Sequence, residues 1–162
     1  MTNFLTRFAG KICETLLPIK YDIFYGDHES HIAICTLSDI NLLERISRSE
    51  LMRNVAIVAR LFSENQGIER LIKYVNEHRG IKYIILCGKD TKGHLPGQSL
   101  LALQKTGITG SRIMGARGKH PVLERIAQSD VEEFRKNVVL IDFVGITEID
   151  KIAKKVSELL AT

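Results

Sequence analysis

The sequence predicts an α/β domain of three layers, Rossmann-like, built on a largely parallel sheet. Three observations predict it. Four short runs, "HIAICTL" (31–37), "VAIVARLF" (55–62), "YIILCG" (83–88) and "VVLIDFVG" (138–145), are rich in β-branched residues and almost continuously apolar. Continuous rather than alternating apolar character marks strands covered on both faces, the condition of a parallel sheet. Segments of helical periodicity alternate with these runs, the order of βαβ units. The chain's 162 residues, 44% hydrophobic and 26% charged, are those of one soluble domain with a core of ordinary size.

Residues 1–20 are expected to form an N-terminal amphipathic helix, and residues 21–162 a single α/β domain. "NFLTRFAGKICETLL" (3–17) places Phe4, Leu5, Phe8, Ile12 and Leu16 on one helical face, although Gly10 weakens the helix. Such a face docks on the domain's own core or, in the alternative, on a partner or a membrane surface. Between the first two strands, 38–53 reads as helix with irregular periodicity. "SENQGIERLIKYVNEH" opens with Ser63 and Gln66 at capping-box spacing and puts Ile68, Leu71, Ile72 and Val75 on one stripe. After the third strand comes a glycine-rich loop, then a helix beginning near Gly97. Asp130 reads as the cap of "VEEFRKN". Thr147 reads as the cap of "TEIDKIAKKVSELL", with Ile149, Ile152, Val156, Leu159 and Leu160 facing inward.

The formal charge of +4 comes from 23 basic and 19 acidic residues, a mixed solvated surface. No run of five basic residues and no basic–aromatic interleaving occurs, so nucleic acid is not an expected partner. Cys13, Cys35 and Cys87 form no CxxC and read as free thiols of a reducing cytoplasm. No segment approaches the ~18 consecutive apolar residues of a membrane span. No secretory signal opens the chain. The expectation is a cytoplasmic protein without a membrane span.

In such a fold ligands sit beyond the carboxyl ends of the strands. That places the loops after Leu37, Leu61, Cys87 and Phe143 on the functional edge. Glycines and hydrogen-bonding residues concentrate in the third, "GKDTKGHLPGQS" (88–99). Gly88 and Gly93 have the spacing of a phosphate loop, but His94 stands in place of its lysine and Leu95 in place of its hydroxyl residue, so both chemical positions fail. An imidazole can ligate a metal, act as general acid or base, or donate a hydrogen bond. Zinc would need more ligands than the "HESH" of 28–31 supplies. Cys87 reads as an inert core thiol, and no G-x-S-x-G elbow is present. Two readings of the loop stay open. One is a nucleotide or phosphometabolite module using Gly88–Gly97, with Lys89 and Lys92 meeting the anion. The other is a metal already held by a macrocycle. A corrinoid brings four equatorial nitrogens and asks the protein for one axial ligand and clearance.

Three ordered segments, "ILCGKDTKGHLPGQSLLALQKTGI", "SRIMGARGKHPVLERI" and "ARLFSENQGIERLIKYV", together resemble the corrinoid-bearing A subunit of tetrahydromethanopterin S-methyltransferase. "YDIFYGDHESHIAICTLSD" is similar to that family's first strand region, and the resemblance covers roughly residues 21–160. It implies cobalamin or a related cobamide as cofactor, with His94 as catalytic residue and axial ligand of the corrinoid cobalt. It implies a cofactor site formed by Thr36, Leu37, Gly88, Thr91, Lys92, Gly93, His94, Leu95, Pro96, Gly97, Gln98, Ser99, Gly115, Ala116, Gly118 and Pro121. It implies a methyltransferase role, from methyl-tetrahydromethanopterin by way of cobalt to coenzyme M in methanogenesis, with other methyltransferase subunits as partners; a homo-oligomer stays open. Asp90, close in sequence, is the candidate for the bond to the other imidazole nitrogen.

The sequence departs from the family pattern in places. Asp27-His28 stands where Asn-Pro is usual, and Lys119-His120 where small or apolar residues precede Pro121. Lys92 occupies the place of the aspartate of the D-x-H-x-x-G corrinoid motif. The family's C-terminal hydrophobic anchor has no counterpart in "KKVSELLAT", so the chain looks like a soluble homologue.

Overall fold

The computed structural model describes residues 23–162; the helix expected over 3–17 lies outside them. In chain order the elements are β1 (Ile23–Tyr25), β2 (Ile32–Cys35), α1 (Ile40–Ser47), a 3₁₀ turn (Glu50–Arg53), β3 (Ile57–Ala59), α2 (Gln66–Glu77), β4 (Tyr83–Gly88), α3 (Pro96–Thr106), β5 (Ile108–Thr109), β6 (Arg112–Ile113), α4 (Gln128–Asn137), β7 (Val139–Val144) and α5 (Ile149–Leu160). Five strands form one sheet in the order β1-β3-β2-β4-β7, and β5 with β6 makes a separate hairpin. The β3–β2, β2–β4 and β4–β7 pairs are parallel. β1 is an antiparallel edge, with Ile23 opposite Ala59. All four predicted strands are present. β1 and the hairpin escape sequence patterning because they are two or three residues long and, unlike the equally short β3, lie in no longer apolar run.

The alternation of side chains across the pleat divides the core in two. Ala33, Cys35, Ile57, Ile84 and Leu86 face one way and meet Ile68 and Ile72 of α2, Leu100 and Leu103 of α3, and Val131 and Phe134 of α4. Ile32, Ile34, Val58, Ile85 and Cys87 face the other way and meet Leu42, Leu43 and Ile46 of α1 and Ile152 and Val156 of α5. β2 and β4 have no exposed core residue on either face, which is why their sequences run apolar without alternation.

Helix ends differ from the sequence reading in four places. The helix expected over 38–53 breaks after Ser47, where Ser47 and Ser49 hydroxyls donate back to the Glu44 and Ile46 carbonyls. α2 starts at Gln66 under Asn65, whose Oδ1 accepts from Gln66 N at 2.7 Å, so Ser63 is not the cap. Asp130 sits inside the first turn of α4 and accepts from Ala127 N at 3.3 Å, the reach-back of a capping box rather than the cap itself. α5 starts one residue after Glu148, which makes no side-chain cap bond, and neither does Thr147 cap it. Leu160, expected inward, is the last residue of α5 and is 44% exposed.

Candidate functional site

β2 and β4 are neighbours, but the chain leaves β2 toward β3 and leaves β4 toward β7. The carboxyl ends of β2 and β4 therefore flank a switch in the winding, where open α/β sheets form a crevice. Backbone bonds stitch the exits together there. Thr36 N donates to Ala59 O (2.9 Å), Leu61 N to Leu37 O (3.2 Å), Ser38 N to Lys89 O (3.1 Å) and Gly145 N to Gly88 O (2.8 Å). Leu37 holds a left-handed backbone at φ 52°, and Gly88 turns at φ 76°.

The loop after β4 is organised by Asp90. Its Oδ1 accepts from Thr91 N and Gly97 N, each at 3.0 Å, and its Oδ2 from Gln98 N at 3.0 Å. It thus satisfies the free amides at the start of α3, which Leu95, in a left-handed conformation at φ 48°, cannot cap. Pro96 occupies the first helical position, where no amide is needed. Asp90 is consequently not the partner of His94: its oxygens are directed at the helix, seven and eight residues ahead.

The partner is Glu64. His94 Nδ1 lies 3.0 and 2.9 Å from the two Glu64 carboxylate oxygens. Glu64 Oε1 also accepts from His120 N at 2.9 Å. The glutamate side chain is 2% exposed and the imidazole 51%. Burial by itself would raise the Glu64 carboxyl pKa; the His120 amide, Glu64's own amide and the His94 ring outweigh it and hold the group below its ordinary value. An ionised carboxylate only accepts, so Nδ1 carries the proton and donates. Nε2, on the other side of the ring, has no hydrogen-bond partner among the described residues. When the ring is neutral that nitrogen presents a lone pair.

A second loop closes on the first. The Gln98 amide donates from Nε2 to Gly115 O at 3.0 Å and accepts at Oε1 from Arg117 N at 2.7 Å. Lys119 N donates to Gly93 O at 3.1 Å. Gly118 passes so near that a Cβ there would lie 2.2 Å from His94 O. Glu69, also buried, anchors the far end of this loop by accepting from Arg125 N at 2.7 Å.

All residues expected in the site fall within this loop cluster. Lys92, Gly93, His94 and Gly115 are exposed; Thr91, Leu95, Gln98, Ala116 and Gly118 are half-buried. Thr36, Leu37, Gly88, Pro96, Gly97, Ser99 and Pro121 are buried and form the floor. The hydroxyls of Thr36, Thr91 and Ser99 are buried without a partner. Sequence reasoning points to Asp90 and misses Glu64 as the partner of His94, although Glu64 lies in the "SENQGIE" stretch that carries part of the family resemblance.

His28 and His31 do not join the site. His28 is exposed and pairs with Glu29 at 3.1 Å, and His31 lies against Tyr83. Among the described residues no group of three or more His, Cys, Asp or Glu is placed to hold a metal ion. The Cys87 and Cys35 thiols are fully enclosed; burial pushes the first well above its ordinary range and the second up to about 12, which makes both poor nucleophiles at neutral pH.

Among the described residues no helix is long and apolar enough to cross a membrane. Comparison with known proteins gives a consistent answer. Residues 12–162 match the family model of the A subunit of tetrahydromethanopterin S-methyltransferase. The A subunit of a putative methyltransferase, Mtx, from Methanosarcina barkeri is 38% identical over 150 residues, 91% of this chain and 72% of that protein. Methanothermobacter thermautotrophicus has two tetrahydromethanopterin S-methyltransferase A subunits among the relatives. The one numbered 2 is 33% identical over 85% of this chain and 73% of its own length. The one numbered 1 is 32% identical over 88% of this chain and 58% of its own length. The match runs through both loops that meet at His94, and the chain belongs to the family of tetrahydromethanopterin S-methyltransferase A subunits.

Proposed function

We propose that this chain is a cobamide-binding methyl carrier in which His94 Nε2 is the axial ligand of the corrinoid cobalt. The observation that carries the reading is the His94–Glu64 pair. A half-exposed imidazole has one nitrogen fixed by a buried carboxylate and the other without a partner among the described residues. A carboxylate behind a ligating histidine sets its tautomer and orientation and raises its basicity. The donor set fits a metal whose remaining positions are already filled: it offers one nitrogen, not a closed coordination sphere. In the same reading the domain is a three-layer Rossmann-like fold, supported by helices packed on both faces of the sheet.

The cobamide would supply a metal centre able to accept and release a methyl group, here between methyl-tetrahydromethanopterin and coenzyme M, within a set of other methyltransferase subunits. What the chain itself does is hold and orient. Glu64 keeps the proton on Nδ1 and fixes the ring plane. Asp90 ties the His94 loop to the start of α3. Gln98 keeps the 115–117 backbone against that loop, and Gly118 lets the two backbones touch. The exposed loop residues Lys92, Gly93 and Gly115 would border the macrocycle, and the buried, unpartnered Thr36 and Ser99 hydroxyls would be available to it as hydrogen-bonding groups.

The phosphate reading is weakened by a specific contact. The helix amides that would receive an anion are already bonded to Asp90, and a phosphate there would meet a carboxylate. The test is optical. The protein mixed with cobalamin and desalted is expected to stay coloured and to show a histidine-ligated spectrum, and His94→Ala to lose that spectrum. Loss of all colour in the wild type sinks cobamide binding; an unchanged spectrum in His94→Ala sinks the axial assignment alone.

A further inference from the structure

Gly93 leaves room beside His94, and the chain itself uses that room. A Cβ built on Gly93 would lie 3.1 Å from Cε, 3.5 Å from Nζ and 3.9 Å from Cδ of Lys119. The outer half of the Lys119 side chain therefore lies across Gly93, whose φ of 81° already favours glycine. The backbone keeps the same register. Lys119 N donates to Gly93 O at 3.1 Å, and Gly118 packs on the His94 carbonyl. Two interlocked loops thus set an ammonium group one residue from His94.

No described carboxylate neutralises it. Residues 88–99 and 115–121 carry the exposed cations Lys89, Lys92, Arg117 and Lys119 against a single acid, Asp90. Asp90 gives both its oxygens to the Thr91, Gly97 and Gln98 amides. Glu64 is 2% exposed and committed to the His94 ring and the His120 amide. Lys92 and Lys119 have no side-chain hydrogen bond or ion pair among the described residues, whereas Lys151 and Lys155 on α5 each pair with a glutamate. An ammonium is a compact point charge, and phosphate is an anion that it meets well in that form. A cobamide has one anionic group, the phosphodiester of its nucleotide arm. The Gly97 and Gln98 amides do not compete for it, because Asp90 already fills them. We infer that Lys119, with Lys92, forms a phosphate site beside His94 and receives this phosphodiester, an inference that rests on the cobamide reading.

The experiment titrates the full chain with cobalamin and with cobinamide, a corrinoid that lacks the nucleotide arm and its phosphodiester. Binding is read from the visible spectrum. The variants are Lys119→Gln and Lys92→Gln/Lys119→Gln, with Lys136→Gln on α4 as control. Glutamine keeps most of the stem over Gly93 and removes the charge. Cobalamin affinity is expected to fall about fivefold in Lys119→Gln, the upper end for an exposed ion pair, and further in the double variant. Cobinamide affinity is expected to stay within about twofold throughout, and added salt to close the gap between the two corrinoids. Lys136→Gln should change neither. Equal losses for both corrinoids, or no loss for cobalamin, overturn the proposal. A wild type that binds neither corrinoid refutes the cobamide reading instead, and inorganic phosphate titrated into the cofactor-free protein then decides. Nitrogen-15 amide shifts at Gly93 and Lys119 that vanish in Lys119→Gln uphold the phosphate site, with free phosphate as its source. Absence of those shifts overturns it.

Discussion

Replacing Glu64 by glutamine tests the site at its most constrained atom. The substitution keeps shape and removes one charge. In the wild type the carboxylate accepts from His94 Nδ1 and from His120 N–H, at 2.9 to 3.0 Å. A glutamine has one accepting oxygen for these two donors. If that oxygen stays with the His120 amide, its NH₂ faces Nδ1 and forces the ring proton onto Nε2, which then has no lone pair to give. Loss of a charge-assisted bond is worth about 1.5–3 kcal/mol, and loss of the group behind a ligating histidine typically costs about ten- to hundredfold in metal affinity. The expected result is weaker cobalamin retention by that factor and a spectrum without histidine ligation, with the fold intact by circular dichroism. Nitrogen-15 spectra of the protein without cofactor should show the proton moved from Nδ1 to Nε2, a readout that general loosening would not produce. A second consequence has a definite sign. The Glu64 carboxyl is held below its ordinary value, so its stabilisation is complete above the unfolded-chain value of ~4.3 and lost as pH falls through the lower folded value. The stability gap between wild type and Glu64→Gln should therefore narrow on acidification below that range. Cobalamin binding within twofold of wild type, with the same spectrum and tautomer, would refute the pairing as a tuning device.

Three further outcomes follow from single contacts. Asp90→Ala removes the acceptor for the Thr91, Gly97 and Gln98 amides; a loss of about 1–2 kcal/mol is expected, read as a lower midpoint in urea unfolding. Gly118→Ala puts a Cβ 2.2 Å from the His94 carbonyl and must displace one of the two loops, whereas a Cβ at Gly80 meets nothing within 4 Å. Cobalamin retention should fall in Gly118→Ala and stay unchanged in Gly80→Ala, measured side by side. Phe134→Ala empties a fully buried position between α4 and the sheet and is expected to cost about 3–5 kcal/mol, checked by chemical denaturation.

What the sequence discloses and what it hides follow from range. The four parallel strands, α2 and α5 are readable because burial on two faces, or on one stripe, leaves its mark in the residues themselves, whereas α3 and α4 are announced only by the loop and the cap residue before them. Helix starts are misread at Ser63, Asp130 and Thr147 because several neighbouring polar side chains can each bond a free amide, and the choice depends on where the chain arrives from. β1 is too short to announce itself. In the site, the loop from Gly88 to Ser99 and the glycines of 115–118 stand out, since their backbone requirements are local. The Glu64–His94 bond spans 30 residues, so nothing local could specify it. The nearest acid, Asp90, is the natural candidate and is already committed to α3.

That commitment also accounts for a histidine in a loop otherwise spaced like a phosphate loop. Such a loop works because unpaired amides at a helix start, with the helix dipole behind them, attract an anion, and a lysine completes the charge. Here the anion is part of the chain. Asp90 supplies two carboxylate oxygens to Gly97 and Gln98, so the start of α3 needs no external phosphate and a lysine at position 94 would have nothing to neutralise there. Freed from that role, position 94 can face outward while still being fixed from behind, and Glu64 fixes it. The two carboxylates thus divide the work. One closes the anion site of α3, and the other turns an exposed imidazole into a directed nitrogen donor. Exchanging their roles is not open to the chain, because Asp90 is tied to the same loop it stabilises, whereas Glu64 arrives from the β3–α2 connection and can hold His94 from outside it.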